Sequence, residues 1–346
     1  MPSAAIMSSA GAPFKPGKLD PELLRKLLAA NAISDARVVI RPGIGRDVCA
    51  IRLGDTCIVA KTDPVTFATD RIGWYVVHVN ANDIATVGAR PKWFLLTALL
   101  PERATDEALV RGLWNEVQSA LRDIGCELCG GHTEVTIGLN RPILVGQMLG
   151  EVPPDRLIDG TKVRPGDRVL LTKGVPIEGT AIMARERAQD LRAAFPPSTI
   201  TRAQAFLDEP GISVLPEAMA ACEAGEVHAM HDPTEGGVAT GLWELAEATG
   251  CGMLVEADRI PVVEPGGALC RHFGLDPLGT ISSGSLLICA PPADARKVTA
   301  AVEALGIVCV DIGEMRPRPE GTVMVRHGRK VPIPVFAQDE ITRILT

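Results

Sequence analysis

Two segments, Gly130-Gly131-His132-Thr133-Glu134 and His231-Asp232-Pro233-Thr234-Glu235-Gly236-Gly237, combine paired glycines with small polar and acidic side chains. Glycine lets backbone N–H groups approach a phosphate with no Cβ in the way. The run from Val238 to Ala248 reads as a helix whose N-terminal end favours anions. The segments therefore read as two halves of one phosphate site, although either alone is also what a glycine turn looks like. Asp47, Asp63 and Asp83 each fall at the edge of an expected strand or in a polar break in a helix. Magnesium on a triphosphate takes one or two carboxylates and keeps waters, so carboxylates converging from separate segments suit it; a solvated surface Asp is the plainer alternative for each. Asn80, Asn82 and Asp83 interrupt an otherwise apolar helical face, where a purely structural helix continues with hydrophobic residues.

Three weaker groups stand beside these. The stretch Lys173-Gly174-Val175-Pro176-Ile177-Glu178-Gly179-Thr180 puts Lys173 beside a phosphate and Glu178 near an acceptor if its glycines close it over a substrate, or else simply joins a strand to a helix. His231 is either a phosphate donor and acid–base group or a hydrogen-bonded turn histidine. Ser282-Ser283-Gly284 is a third substrate loop or a turn.

The elements that must position these groups can be read from pattern. Residues 1–18 are small, Pro- and Gly-containing and aperiodic, and are expected to form a flexible arm. Asp20-Pro21 opens a helix carrying Leu23, Leu24, Leu27 and Leu28. Strands are expected over 37–40, 49–53 and 58–61, with Gly54-Asp55 as a hairpin turn. A helix over 71–87, a strand over 92–100, a helix over 106–124 and a strand over 142–150 complete residues 19–155 as a first domain. Two prolines at 153 and 154 mark the boundary. Residues 156–346 repeat the mixture, with helices near 179–188, 214–224, 235–249 and 294–305 and strands near 168–172, 253–256, 285–289 and 308–313. Hairpin-like neighbours, without strict βαβ alternation, point to an α+β protein with two mixed domains.

Composition excludes several functions. A net charge of −7 and only 3% aromatic residues argue against a nucleic-acid partner. No apolar run approaches the roughly 18 residues needed to cross a membrane, and no secretory leader is visible, so a cytoplasmic location is expected. Nine cysteines, several in apolar segments, suit reduced thiols. Cys126-Glu127-Leu128-Cys129 has metal-site spacing, but no second ligand pair completes a tetrahedral set; a helix end followed by a short buried strand explains it better.

Standard nucleotide motifs fail: Gly43-Ile44-Gly45 lacks the third glycine of a dinucleotide fingerprint, and no GxxxxGK[ST] occurs. Instead, the ordered set Gly45-Arg46-Asp47, Thr62-Asp63, Asn82-Asp83-Ile84-Ala85-Thr86-Val87-Gly88-Ala89-Arg90-Pro91, Gly130-Gly131-His132-Thr133 and Asp232-Pro233-Thr234-Glu235-Gly236-Gly237 resembles the superfamily of aminoimidazole ribonucleotide synthetase, thiamine-monophosphate kinase, selenophosphate synthetase and the hydrogenase-maturation carbamoyl dehydratase. These pieces span almost the whole chain. With Leu275-Asp276-Pro277-Leu278 they are most similar to the hydrogenase-maturation branch.

The resemblance implies a homodimer whose N-terminal sheets meet in a barrel, with ATP and magnesium near that interface and phosphate transferred to an oxygen, as product or to activate it for loss. It implies metal ligation by Asp47, Asp63 and Asp83, and phosphate contacts from Gly130, Gly131 and Thr133. Asp232, Thr234, Gly236 and Gly237 would complete the site from the second domain, while Thr62, Asn82 and His132 lie within the matching nucleotide-binding segments. Lys173, Glu178 and His231 are the catalytic candidates. Three departures stand out: Arg46 replaces a frequent second Asp, His132 replaces an acidic residue of the kinase-like members and is a poor magnesium ligand, and the sequence ends Ile344-Leu345-Thr346 with no terminal Cys for carbamoyl chemistry. The expectation is an ATP- and magnesium-dependent enzyme that phosphorylates or dehydrates a small molecule. Thiamine-monophosphate kinase and a non-catalytic nucleotide-binding accessory subunit are the alternatives.

Overall fold

The computed structural model describes residues 14, 19–65, 68 and 70–345, so the expected arm over 1–18 lies outside the described residues apart from Phe14. Six strands form the first sheet: β1 (Val38–Ile40), β2 (Cys49–Leu53), β3 (Thr56–Val65), β4 (Arg90–Pro101), β5 (Glu127–Thr136) and β6 (Ile143–Val152), in the order β1-β2-β3-β6-β4-β5. Gly54 and Asp55 turn β2 into β3 as the pattern predicts, with Leu53 opposite Thr56. α1 (Pro21–Ala29) precedes the sheet, with the Asp20 side chain accepting from the Glu22 and Leu23 N–H groups at 3.1 and 3.0 Å. None of its leucines is buried.

α2 (Ile72–Thr86) and α3 (Glu107–Ile124) lie on this sheet. α3 is the amphipathic crossover between β4 and β5, and Gly125, at φ +67°, closes it. β4 and β5 are therefore parallel, a βαβ unit that the hairpin reading did not foresee. β5 is also longer and more open than the short buried strand expected after Cys126. It is a ten-residue edge strand, mostly exposed; Cys126, just before it, is buried and Cys129, within it, is not. The first sheet is open, with β1 and β5 at its edges, and the described residues of this chain form no closed barrel.

Seven strands form the second sheet: β7 (Arg168–Thr172), β8 (Ala229–His231), β9 (Gly252–Glu256), β10 (Leu287–Ala290), β11 (Cys309–Arg316), β12 (Thr322–Arg326) and β13 (Arg329–Pro332), in the order β13-β12-β9-β11-β7-β10-β8. The sequence reading missed the β12–β13 hairpin. Helices α4 (Ile177–Glu186), α5 (Ala188–Leu191), α6 (Pro197–Gln204), α7 (Leu215–Ala224), α8 (Gly237–Thr249), α9 (Gly266–Phe273) and α10 (Pro292–Glu303) complete this half. β7 explains the layering. Val169 and Leu171 face the α8 side, while Leu170 faces the side of α7 and α10, so a strand buried on both faces reads as a continuous apolar run.

α2 is buried almost all round because it packs on β3 and β6 on one side and touches α7 and β8 on the other. One continuous apolar cluster joins Val76, Ile84 and Phe94 of the first half to Ile177, Phe206 and Ile212 of the second. Any polar group on α2 is thus placed at the junction of the two sheets.

Candidate active site at the junction of the two sheets

Asp47 lies in the turn entering β2, Lys61 and Asp63 lie in β3, Asp83 is in the last turn of α2, and His231 and Asp232 sit where β8 ends. The Lys61 Nζ is 2.9 Å from Asp83 Oδ2 and 3.7 Å from Asp63 Oδ2. Burial opposes its charge, but Asp83, Asp63 and Asp47 more than offset this and hold the ammonium above the usual lysine range. His231 is buried between two carboxylates, with Nδ1 3.4 Å from Asp47 Oδ2 and Nε2 3.0 Å from Glu244 Oε2. Burial pulls it down, yet the hydrogen bonds with Asp47 and Glu244 push it up to about 10. With both nitrogens engaged by carboxylates, His231 suits a fixed cation, closer to the phosphate donor and the hydrogen-bonded turn histidine read from sequence than to the acid–base group offered beside them.

Asp83 and Asp232 are hydrogen-bonded to each other, and desolvation raises both carboxyls above the ordinary aspartate range. Two buried acids this close oppose each other's ionisation. Ligand atoms of Asp47, His231 and Asp232 lie within 4.8 Å of one another. Among the described residues, Asp232 Oδ1 is buried with no hydrogen-bond partner. Oxygen donors with one unsatisfied buried oxygen fit a hard cation such as magnesium at Asp47 and Asp232; the protonated His231 does not.

A second group lies further along the junction. Gly236, at φ +79°, begins α8, but the anion at that helix end is the protein's own: Asp339 Oδ2 accepts from Gly236 N at 2.6 Å and its Oδ1 from Ile341 N at 2.8 Å. Burial pushes Asp339 up to about 6 against these donors. Gly237 donates to the Thr234 carbonyl at 3.0 Å, closing the turn. Glu178, at the start of α4, is buried, with a hydrogen bond to Ser283 and, among the described residues, no partner for its Oε2. Burial carries it to about 7 despite Ser283, with Asp339 and Glu235 adding to the rise. Tyr75 of α2 feels the Glu178 charge. Tyr75 and Asp83 are separated by about 12 Å of helix rise, so α2 sets the spacing between the Glu178 group and the carboxylate cluster.

Other residues singled out from sequence go elsewhere. Lys173 does not reach a phosphate position: its Nζ is buried 2.9 Å from Glu217 Oε1 and donates to the Ser213 and Gly211 carbonyls at 2.6 and 3.2 Å. Asn82 is a staple between the halves, its amide donating to Ile212 O at 2.8 Å and accepting from Val214 N at 2.9 Å. Thr62 donates to the Gly146 carbonyl of the neighbouring strand at 3.0 Å. Gly130, Gly131, His132 and Thr133 form no turn; they run along β5, with His132 Nε2 3.1 Å from Glu134 Oε2. Asp63, Gly146, Leu96 and Gly131 are register partners across β3, β6, β4 and β5. Gly131 is therefore about 14 Å, three strand spacings, from Asp63.

Lys61, Glu244 and Asp339 were not singled out from sequence. Lys61 carries a signal, a lone cation in the apolar run before Thr62-Asp63, and so does Glu244, an acid in the same helical stripe as Gly237 and Gly241 within a largely apolar segment. Asp339 carries none, because its partners come from a distant segment.

The fold and site define a mixed α/β protein of two sheets with a carboxylate-rich cleft where its halves meet. Residues 45–152 match the AIR synthase related protein, N-terminal domain, and residues 164–326 match the AIR synthase related protein, C-terminal domain. The chain is 31% identical over 254 residues to the carbamoyl dehydratase HypE of Azotobacter vinelandii, covering 71% of each chain. It is 29% identical over 307 residues to the carbamoyl dehydratase HypE of Cupriavidus necator, covering 86% of this chain and 83% of that protein. Its fold resembles that of hydrogenase maturation protein HypE in complex with ATP, with a TM-score of 0.69 at 24% identity over 84% of this chain and 89% of the other. The chain belongs to the AIR synthase related superfamily, on its hydrogenase-maturation branch.

Proposed function

We propose that this protein is an ATP- and magnesium-dependent enzyme that phosphorylates an oxygen of a small acceptor, either as product or to let that oxygen leave in a dehydration. The observation that carries the reading is the convergence of Asp47, Asp83 and Asp232 from both halves around one cleft, with Asp232 Oδ1 buried and unsatisfied. Asp47 and Asp232 would hold magnesium, with Asp63 and Asp83 beside them. Bound there, the ion would neutralise phosphate charge as it develops. Lys61 and His231 supply fixed positive charge. Most of the rate enhancement then comes from positioning and charge neutralisation, and no protein nucleophile is required. Glu178, pushed up to about 7, is poised to take the proton of an acceptor hydroxyl.

In this reading residues 19–155 carry the nucleotide and the dimer contact, and residues 156–346 complete the site. The open β5 edge supports a homodimer, since Val135 is 57% and Ile137 78% exposed on or beside an unpaired strand. A second copy joined there closes the two sheets into a barrel and gives the Gly130–Thr133 strand a site to serve.

Release of ADP or AMP from ATP and Mg²⁺, measured across thiamine monophosphate, selenide and an S-carbamoylated thiol, tests the proposal. Release with one acceptor is expected. Nucleotide binding with no release for any acceptor would identify an accessory subunit, and a response to thiamine monophosphate alone would identify the kinase; absence of nucleotide binding would overturn the reading. Among the described residues no helix is long and apolar enough to cross a membrane.

A further inference from the structure

The acidic residues of the cleft divide into two sets. Asp47 and Asp232 gather with His231, their ligand atoms within 4.8 Å of one another. Asp63 and Asp83 gather instead on a lysine, at 3.7 and 2.9 Å from the Lys61 Nζ. Strand geometry enforces this arrangement. Lys61 and Asp63 are two residues apart in β3 and share the face that carries buried Cys57, Val59 and Val65, the face against which α2 packs. The Lys61 side chain is only 12% exposed and that of Asp83 only 6%, so the ammonium has little freedom to swing into solvent.

A divalent ion joining Asp63 to Asp83 needs carboxylate oxygens at about 2.0–2.1 Å for magnesium, close to the point that the Lys61 Nζ fills. Two positive centres at that separation repel strongly in a partly desolvated cleft. We propose that Lys61 is a resident cation that fills the Asp63–Asp83 part of the site, confines divalent binding to the Asp47–Asp232 part and presents a fixed positive charge to the phosphate chain. The phosphate contact rests on the reading of this cleft as a nucleotide site; the exclusion of a metal does not. A compact ammonium with three donors suits both roles, holding carboxylates when the cleft is empty and a phosphate oxygen when it is filled.

Counting bound Mn²⁺ on the full-length protein by electron paramagnetic resonance, without nucleotide, tests the exclusion. Lys61→Met is expected to take up one more Mn²⁺ per chain than the unaltered protein, and Lys61→Arg to keep the unaltered count. Should Lys61→Met fail to fold, Lys61→Gln carries the same test, since its amide still partners Asp83. Equal counts in the unaltered protein and the neutral variant overturn the proposal, because an ion pair serving only structure leaves no site behind for a metal. Binding of a non-hydrolysable ATP analogue is measured on the same samples. A tenfold or greater loss in the neutral variant supports the phosphate contact, and unchanged affinity removes it. Failure of the unaltered protein to bind the analogue counts against the nucleotide reading alone and leaves the metal count to decide the exclusion.

Discussion

Asp83, on the helix laid over the first sheet, is hydrogen-bonded to Asp232, which follows a strand of the second. Neither residue sits near the other in sequence, and burial raises both carboxyls, so each opposes the other's ionisation until a cation comes beside them. Asp83→Asn should keep the hydrogen bond and remove one charge. Magnesium-dependent binding of an ATP analogue should fall at least about tenfold, or about 1.4 kcal/mol, while denaturant stability is unchanged or slightly higher and the oligomeric state is preserved. Calorimetry and equilibrium unfolding check the two halves of this expectation.

Lys173 separates stability from chemistry in the opposite direction. Its ammonium and the Glu217 carboxylate are 4% and 0% exposed, and they neutralise each other in the interior. Lys173→Met leaves a buried carboxylate unpaired and should cost about 3–5 kcal/mol of folding stability. Analogue affinity measured well below the melting temperature should stay within about twofold, a difference under about 0.5 kcal/mol.

What could be read from sequence follows how local each signal is. The Asp20-Pro21 helix start, the Gly54-Asp55 hairpin and β7 rest on neighbouring residues, and they stand where pattern put them. Asp47, Asp83, His231 and Asp232 could be singled out because acids and histidines beside glycines or inside an apolar helix are chemically conspicuous. The partners of these residues could not be read. That Lys61 faces Asp83, that Glu244 holds His231 and that Asp339 caps α8 depend on how two sheets dock, and no short stretch of sequence encodes that. Lys173 shows the reverse failure, a glycine-flanked lysine that looks mobile but is locked by tertiary packing.

Glu178 supplies a pH signature. Its ordinary value of 4.5 is raised to about 7 in the folded chain, first by burial. Between pH 4.5 and about 7 the unfolded chain releases this proton while the folded chain keeps it, so the contribution to stability is full below 4.5 and declines to its floor above about 7. Glu178→Gln does not titrate. The stability of the unaltered protein relative to this variant should therefore drop by up to about 3 kcal/mol across that window, measured by urea unfolding at a series of pH values. A parallel pair of curves would show that the carboxyl titrates normally.

Gly130 and Gly131 separate a strand-packing role from a phosphate-contact role. A Cβ on Gly131, whose φ is +148°, would lie 1.9 Å from the Leu96 carbonyl oxygen, inside the β4–β5 pairing. A Cβ on Gly130 meets nothing closer than Leu95 Cδ2 at 4.0 Å. Gly131→Ala must push the two backbones apart and should cost at least about 2 kcal/mol, in the range of strained backbone substitutions. Gly130→Ala should leave thermal stability nearly unchanged, because an exposed strand gains slightly from losing glycine's freedom. Analogue affinity of the stable Gly130→Ala protein then decides what the segment does. If this strand approaches phosphate, the added methyl group crowds the anion and affinity should fall about tenfold with no loss of fold. Affinity equal to that of the unaltered protein would leave close packing against Leu96 as the reason for Gly131 alone, and would remove the β5 edge from the nucleotide site.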